Sequence, residues 1–440
     1  MRTDTTNAPL RFHQFCCLVV LIAVTFGLTF PASAQTFTVL HTFTGGAGGL
    51  YPTVGPLARD SSGNLYGATI YGGQYTPICQ YSGNGTGCGL VYKLTHHGSA
   101  WLFNVLYAFN GMDGYQPSEG VTLASDGTIC GATFLGGPYD GNGCRASGCG
   151  TVFRLQPPAT FCPSVLCPWS LTELHEFQGE FDGAEPNFGS LTFDGAGNLY
   201  GTTELGGFNL DGSVYELSRN GSGWTKTILY SLHGGADGQY PFGGVVFDSA
   251  GNLYGTTTNG GTSNTGTVYK LTHSQGGWSE NVLHSFNSET DGESPSGNLV
   301  IDALGNLYGG ASSYGPNGGG TVWQLRPNNG GWTFTVLYAF AGEGAEGPSG
   351  GLAMDAAGNL YGAALVAGAH NAGSIFKLTP NNGGWIYSSL YDFTGGADGE
   401  KPSSALILDS AGNLFGTTEL GGSVTQECPS GCGVAFELTP

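Results

Sequence analysis

Six short loops of this sequence each carry an acid in a repeated setting. Asp113, Asp182, Asp237, Asp291 and Asp398 precede a glycine in "NGMDGYQPSEG", "QGEFDGAEPNFG", "HGGADGQYPFGG", "NSETDGESPSGN" and "TGGADGEKPSSA", and Glu343 stands in "AGEGAEGPSGG". Carboxylates drawn from several loops could attract Ca²⁺ or a cationic group, since hard cations take oxygen ligands. One acid per loop is far short of the roughly six to eight oxygens of a calcium site, so neighbouring loops would have to contribute. Beyond possible Ca²⁺, no cofactor is indicated. A pair of these acids could also serve in glycan cleavage, which depends on a separation that sequence does not fix. An Asp–Gly step equally builds a turn without any chemistry.

Aromatic residues form the second constellation. Tyr71, Tyr75, Tyr81 and Tyr139 lie in the long segments "IYGGQYTPICQYSGNGTGCG" and "FLGGPYDGNGCRASGCG". Aromatic faces on rigid loops suit stacking against sugar rings or a polymer, although ordinary loop variation gives the same pattern. "GPSGG" from Gly347 matches a hydrolase nucleophile elbow, but equivalent segments read "YPFGG" and "SPSGN", and no strand–turn–helix surrounds it. His41, His175 and His284 take the position of Tyr107, Tyr230, Tyr338 and Tyr391, so they read as packing residues.

The elements that position these residues are repeats. The anchor "GNLYG" and its variants start at Gly63, Gly127, Gly197, Gly251, Gly305, Gly358 and Gly412, giving seven units of about 54 residues, two with insertions. Each unit holds four strand signals, as in "GGVVFD", "NLYGTT", "GTVYKLT" and "WSENVLHSF" of the unit near Gly243. Its "DSAGN" reads as a tight turn, with Asp248 bonding backbone N–H groups and Gly251 taking the left-handed conformation. The segment from Thr36, "TFTVLHTF", matches a fourth strand, and the terminal "GVAFELTP" matches a third. That phase predicts an all-β, seven-bladed propeller of four strands per blade, closed by the N-terminal strand completing the last blade. A β-helix or paired sandwiches are the alternatives, and an open array would leave two edges exposed.

Gly at 80 of 440 residues and only 10% charged residues fit this class. The net charge is −20, or −21 without residues 1–34, which hold two Arg and one Asp. So acidic a chain repels phosphate backbones, and nucleic acid is not expected as a partner. Residues 1–34, with basic Arg2 and Arg11, the apolar "CCLVVLIAVTFGLTF" and the small-residue "PASAQ", have the layout of a signal peptide cut after Ala34. A retained anchor is the alternative; the apolar run is short of the ~20 residues that span a bilayer. Residues 35–440 are expected as one propeller domain, monomeric, with no membrane span after cleavage. The cysteine pairs Cys79/Cys88, Cys144/Cys149, Cys162/Cys167 and Cys428/Cys432 are expected as local disulfides of an exported protein, and zinc is disfavoured because no His stands at ligand spacing beside them. Cys130 replaces the Tyr of "GNLYG" and reads as a buried free thiol.

At "AGNLYGTT", "GTVYKL" and "VLYSLHGGADGQYPFGG" the chain resembles the choice-of-anchor tandem-repeat proteins called GloVer, over essentially all of residues 36–440. The resemblance implies an exported or surface-displayed bacterial protein, often with a C-terminal sorting segment. This chain departs from that pattern, ending at Pro440 directly after a strand, so secreted, periplasmic and cell-surface locations stay open. The family brings no activity that can be carried over residue by residue. The expected function is an extracellular binding module for a polymer, glycan or protein, without catalysis. A glycan-active lyase or hydrolase with acids at the central channel, and a structural surface protein, are the alternatives.

Overall fold

The turn that recurs most often is held by its aspartate. Asp248 Oδ1 accepts from the backbone N–H groups of Ala250 and Asn252, both at 2.9 Å, while Oδ2 accepts from Asn252 Nδ2 at 2.7 Å and the Tyr254 hydroxyl at 2.9 Å. Gly251 closes the turn at φ 82°. Asp60, Asp194, Asp302 and Asp355 repeat the arrangement; Asp409 lacks the phenol bond because Phe415 replaces the tyrosine. Burial pushes these carboxyls up, but the hydrogen bonds outweigh it and hold each below its ordinary value.

The structure, a computed structural model, describes Met1 and residues 35–439 apart from 81–86, 99, 138–143, 145–146, 159–168, 187–188, 222, 343–346 and 349. The expected signal peptide lies outside the described residues, Met1 aside, and Gln35–Pro440 form one compact unit. In the fourth repeat Val246–Phe247, Leu253–Thr257, Thr267–Ser274 and Gly277–Ser285 pair antiparallel in that order. Seven such sheets stand in a ring as the blades of a β-propeller. The seventh combines Ile407–Leu408, Leu414–Thr418 and Val434–Thr439 with Thr36–Thr42, whose Thr36 pairs Thr439 and Thr42 pairs Val434. The ring is therefore closed by the strand that the sequence phase assigned to that role.

Most first strands are only two residues long, shorter than the sequence pattern suggests. The residues before them are small, and neighbouring blades meet there backbone to backbone. A Cβ on Gly55 would lie 1.8 Å from Gly120 N, one on Gly189 2.0 Å from Gly244 N, and one on Gly297 2.4 Å from Gly351 N. The Ala405 N–H bonds Val54 O at 3.1 Å across the closing seam. Blades approach so closely only near the axis, which places the first strands innermost. Third-strand aromatics Tyr92, Phe153, Tyr215, Tyr269, Trp323, Phe376 and Phe436 are fully buried and cross the second-strand glycines. At Gly255 a Cβ would meet the Tyr269 hydroxyl at 2.3 Å.

Outer strands meet through one repeated contact. Phe37 stacks on Tyr391, Phe103 on His41, Phe334 on His284 and Tyr387 on Tyr338, with ring centroids 3.9–4.1 Å apart. His41 and His284 are thus packing residues, and burial pulls His41 down to about 4. Three seams break the aromatic column, and between the first and second blades Leu171 takes the ring's place. Lys226 replaces the ring between the second and third blades and bonds Asp182 Oδ1 at 2.8 Å. Glu280 replaces it between the third and fourth, where burial and then a hydrogen bond to Asp237 push its carboxyl up to about 8.

Candidate functional site

The acids singled out in the sequence fasten their own loops. Each reaches back to the aromatic residue ending the preceding fourth strand and to a backbone N–H of the turn. Asp113 accepts from the Tyr107 hydroxyl and the Asn110 N–H, and Asp237 from the Tyr230 hydroxyl and the His233 N–H. Asp398 does the same with Tyr391 and Thr394. Asp182 and Asp291 bond His175 Nε2 at 2.9 Å and His284 Nε2 at 3.0 Å, together with the N–H groups of Gln178 and Asn287. Burial raises Asp182, but its bonds to His175 and Lys226 prevail and bring it to about 2. These carboxylates sit one per blade, and among the described residues no three His, Cys, Asp or Glu are placed to hold a metal ion. Glu343 lies outside the described residues.

Of the four tyrosines, Tyr81 and Tyr139 lie outside the described residues, so only half of the expected platform has a place. Tyr75 is 54% exposed on its loop. Tyr71 is half-buried and turns toward the second blade, where its hydroxyl accepts from Gln116 Nε2 at 2.8 Å.

Gln116 belongs to a set of residues that the sequence reading passed over. Tyr51, Gln116, Glu185, Tyr240, Ser294 and Lys401 each precede the proline of a loop entering a blade, and each has a left-handed φ between 54° and 58°. Side-chain-bearing residues adopt this region at a cost of about 1–3 kcal/mol, and it persists only where surrounding structure imposes it. Here the constraint is a backbone bond to the preceding blade: the N–H of Tyr51 donates to Cys432 O, that of Gln116 to Cys88 O and that of Glu185 to Cys149 O. Those carbonyls belong to the disulfides Cys428–Cys432, Cys79–Cys88 and Cys144–Cys149, with Cα atoms 5.3, 5.2 and 5.0 Å apart. Cys162 and Cys167 lie outside the described residues. The staples therefore fix three consecutive seams, including the closing one. In Tyr240, Ser294 and Lys401 the acceptors are Asp211, Thr265 and Ala372.

The closing arc gathers side chains from three blades. Tyr51 and Tyr71 meet edge to face, centroids 6.1 Å apart and planes at 78°. Burial and then the nearby Glu419 carboxyl raise the Tyr51 phenol, and Lys401 in turn faces Glu419. All of these residues are half-buried. Tyr51, Gln116 and Lys401 stand four residues from the innermost backbone contacts at Gly55, Gly120 and Ala405, so the arc rims the axis on the loop-bearing face. Glu119 lies nearer the axis still, where the fourth, fifth and sixth blades have Gly243, Gly297 and Gly350. It is 2% exposed, its Oε2 has no partner among the described residues, and burial raises it well above the ordinary carboxyl range. Cys130 is buried and free, its thiol pushed up to about 12 by burial first.

Grooves on the opposite face lie between neighbouring hairpin turns, one of them lined by Asp126, Phe193, Asp194 and Arg219. Their carboxylates are already used: Asp126 pairs Arg154 at 2.8 Å, and Asp194 holds its turn. The signal that could have found the arc is the loop residue before proline, which varies as Tyr, Gln, Glu, Tyr, Ser, Gly and Lys amid an otherwise constant repeat.

A family model described as the Gloeobacter/Verrucomicrobia repeat matches residues 24–222, 76–300 and 212–436. No curated protein matches the sequence. Among solved structures, a gluconolactonase from Xanthomonas campestris is 13% identical over 92% of this chain and 89% of its own, with a TM-score of 0.42. A protein provisionally assigned as a 6-phosphogluconolactonase, from Bacteroides uniformis, is 14% identical over 81% and 96%, with a TM-score of 0.49. A protein of unknown function from Dyadobacter fermentans is 11% identical over 81% and 98%, at 0.44.

Proposed function

The chain belongs to the Gloeobacter/Verrucomicrobia repeat family, and we propose that it is an exported propeller that binds an extracellular polymer, glycan or protein through its loop-bearing face. One observation carries this reading. Tyr75, Met112, Phe181, Phe208, Leu210, Tyr314 and Val424 are each more than half exposed, and all sit in loops of that face. The turns of the opposite face contribute only Leu304 to this set among the described residues. Exposed apolar side chains concentrated on one side of a stable scaffold are the surface a ligand would cover. Phe181 and Phe208 stand together, centroids 5.7 Å apart. Export is supported by the leader-like N-terminus and by the buried disulfides, which form in oxidising compartments.

The test is retention of residues 35–440 on a panel of cell-wall and polysaccharide matrices. Phe181→Ala with Phe208→Ala should weaken binding at least tenfold at an unchanged melting temperature, and Leu304→Ala should leave both alone. Equal retention of all three proteins would refute the reading. A glycan-active enzyme is the second reading, favoured by the buried Glu119 carboxyl near the axis, whose Oε2 has no partner among the described residues. Turnover on the same panel that disappears in Glu119→Gln would replace the first reading with it.

A further inference from the structure

We propose that the arc formed by Lys401, Glu419, Tyr51, Tyr71 and Gln116 is a binding site for one uncharged sugar ring of a saccharide chain. The proposal rests on the binding role proposed above and names the ligand class for one part of that face. Three features specify the class. Tyr51 and Tyr71 stand as two aromatic walls nearly at right angles, 6.1 Å between centroids, which suits a saturated ring with an apolar C–H face and a polar edge. The polar groups around them are of both kinds. Tyr71 accepts from Gln116 and so keeps its own hydroxyl proton to donate, while the Tyr51 hydroxyl and the Lys401 ammonium make no hydrogen bond among the described residues. Gln116 retains its carbonyl oxygen as an acceptor, and Glu419 supplies carboxyl oxygens. Finally, the one cation, Lys401, faces Glu419, and the neighbouring Glu400 adds a second carboxyl. A site that offers donors and acceptors together matches hydroxyl groups, each of which does both.

The backbone supports a recognition role for the same residues. Tyr51, Gln116 and Lys401 all occupy the left-handed region, at φ 55°, 56° and 54°. Glycine would take that conformation without penalty, yet each position keeps a side chain that projects beside its neighbours. Two of the three are pinned by carbonyls of buried disulfides, so the walls are fixed before any ligand arrives.

The experiment is calorimetric titration of residues 35–440 with three oligosaccharide sets: neutral hexose oligomers, uronic acid oligomers and deacetylated amino sugar oligomers. Neutral oligomers should bind, and each charged set should bind at least tenfold more weakly. Gln116→Leu and Tyr71→Phe, two conservative changes whose folding is checked by melting temperature, should each weaken neutral binding at least fivefold. Wild-type affinity in both folded variants, or tighter binding of either charged set, would overturn the proposal. If matrix binding survives these variants but falls with Phe181→Ala and Phe208→Ala, the binding face stands and this site does not. If no oligomer and no matrix binds, both fall together.

Discussion

Removal of Thr36–Thr42 is expected to abolish the native fold, leaving a chain that elutes as aggregate and shows no cooperative melt. The strand supplies six paired positions to Val434–Thr439. Phe37 stacks on Tyr391 at 4.0 Å and also packs against Phe393 and Phe436, and Leu40 is buried in the first core, which also holds the fully buried Phe43 just beyond the strand. Burying each such side chain stabilises by roughly 1.5–3 kcal/mol, so loss of the strand approaches the ~5–15 kcal/mol that stabilises a whole domain. It also strips Val434–Thr439 of its outer partner, and an unpaired edge recruits other chains. Size-exclusion chromatography and a circular dichroism melt decide the matter. A truncated protein that stays monomeric and melts within a few degrees of the intact one would contradict closure by this strand.

The second large effect is a loss of stability as pH rises above neutrality. Burial and then Asp237 hold Glu280 up to about 8, while a hydrogen bond donated to Glu176 and then burial hold Glu173 up to about 7. Burial alone raises Glu119 well above its ordinary value. In the unfolded chain these carboxyls ionise near the ordinary glutamate value. The folded protein therefore keeps protons that the unfolded one releases. Their stabilisation is complete below about 4.5 and is lost as pH rises through about 8. Two groups act the other way in acid. Burial lowers His41 to about 4 and also lowers His284, so protonation below about 6.5 favours unfolding. The turn aspartates, held low, likewise lose their contribution as pH falls below their ordinary value. The informative comparison is thus pH 6.5 against about pH 9. Stability should fall by roughly 1–2 kcal/mol over that interval after allowance for solvent screening of the half-exposed Glu280. Glu280→Gln should shrink the difference, and Glu280→Phe, which restores the aromatic column, should shrink it and raise the melting temperature. A flat profile in the native protein would show that these carboxyls are ionised in the fold.

The architecture was legible because its determinants are local and repeated. Asp248, Gly251 and Tyr254 sit within seven residues, and one turn fixes their roles wherever the spelling recurs. Closure was legible from phase alone, since a leading fourth strand and a trailing third one need each other. The candidate site was far less visible. Asp113 and Asp398 looked available because the partners that consume them, Tyr107 and Tyr391, lie six and seven residues earlier in what reads as a separate strand. The left-handed backbone of Tyr51 and Gln116 has no local cause, being imposed by carbonyls of the preceding blade. Glu119 was hidden because its neighbours at the ring centre come from blades distant in sequence. Glu280 could have been noticed as a charge in an aromatic column, but its meaning depends on Asp237 across the seam.

Recognition, rather than folding, is the role assigned to the strained residues around the axis, and Tyr51→Gly tests this most directly. Folding stability and affinity for the best-binding oligosaccharide should be measured on the same preparation. Relief of the left-handed strain should roughly offset the lost packing on Tyr71, leaving stability within about 1 kcal/mol of the original, while affinity falls at least tenfold. A variant that is strongly destabilised yet binds unchanged would make Tyr51 a structural residue and contradict the account.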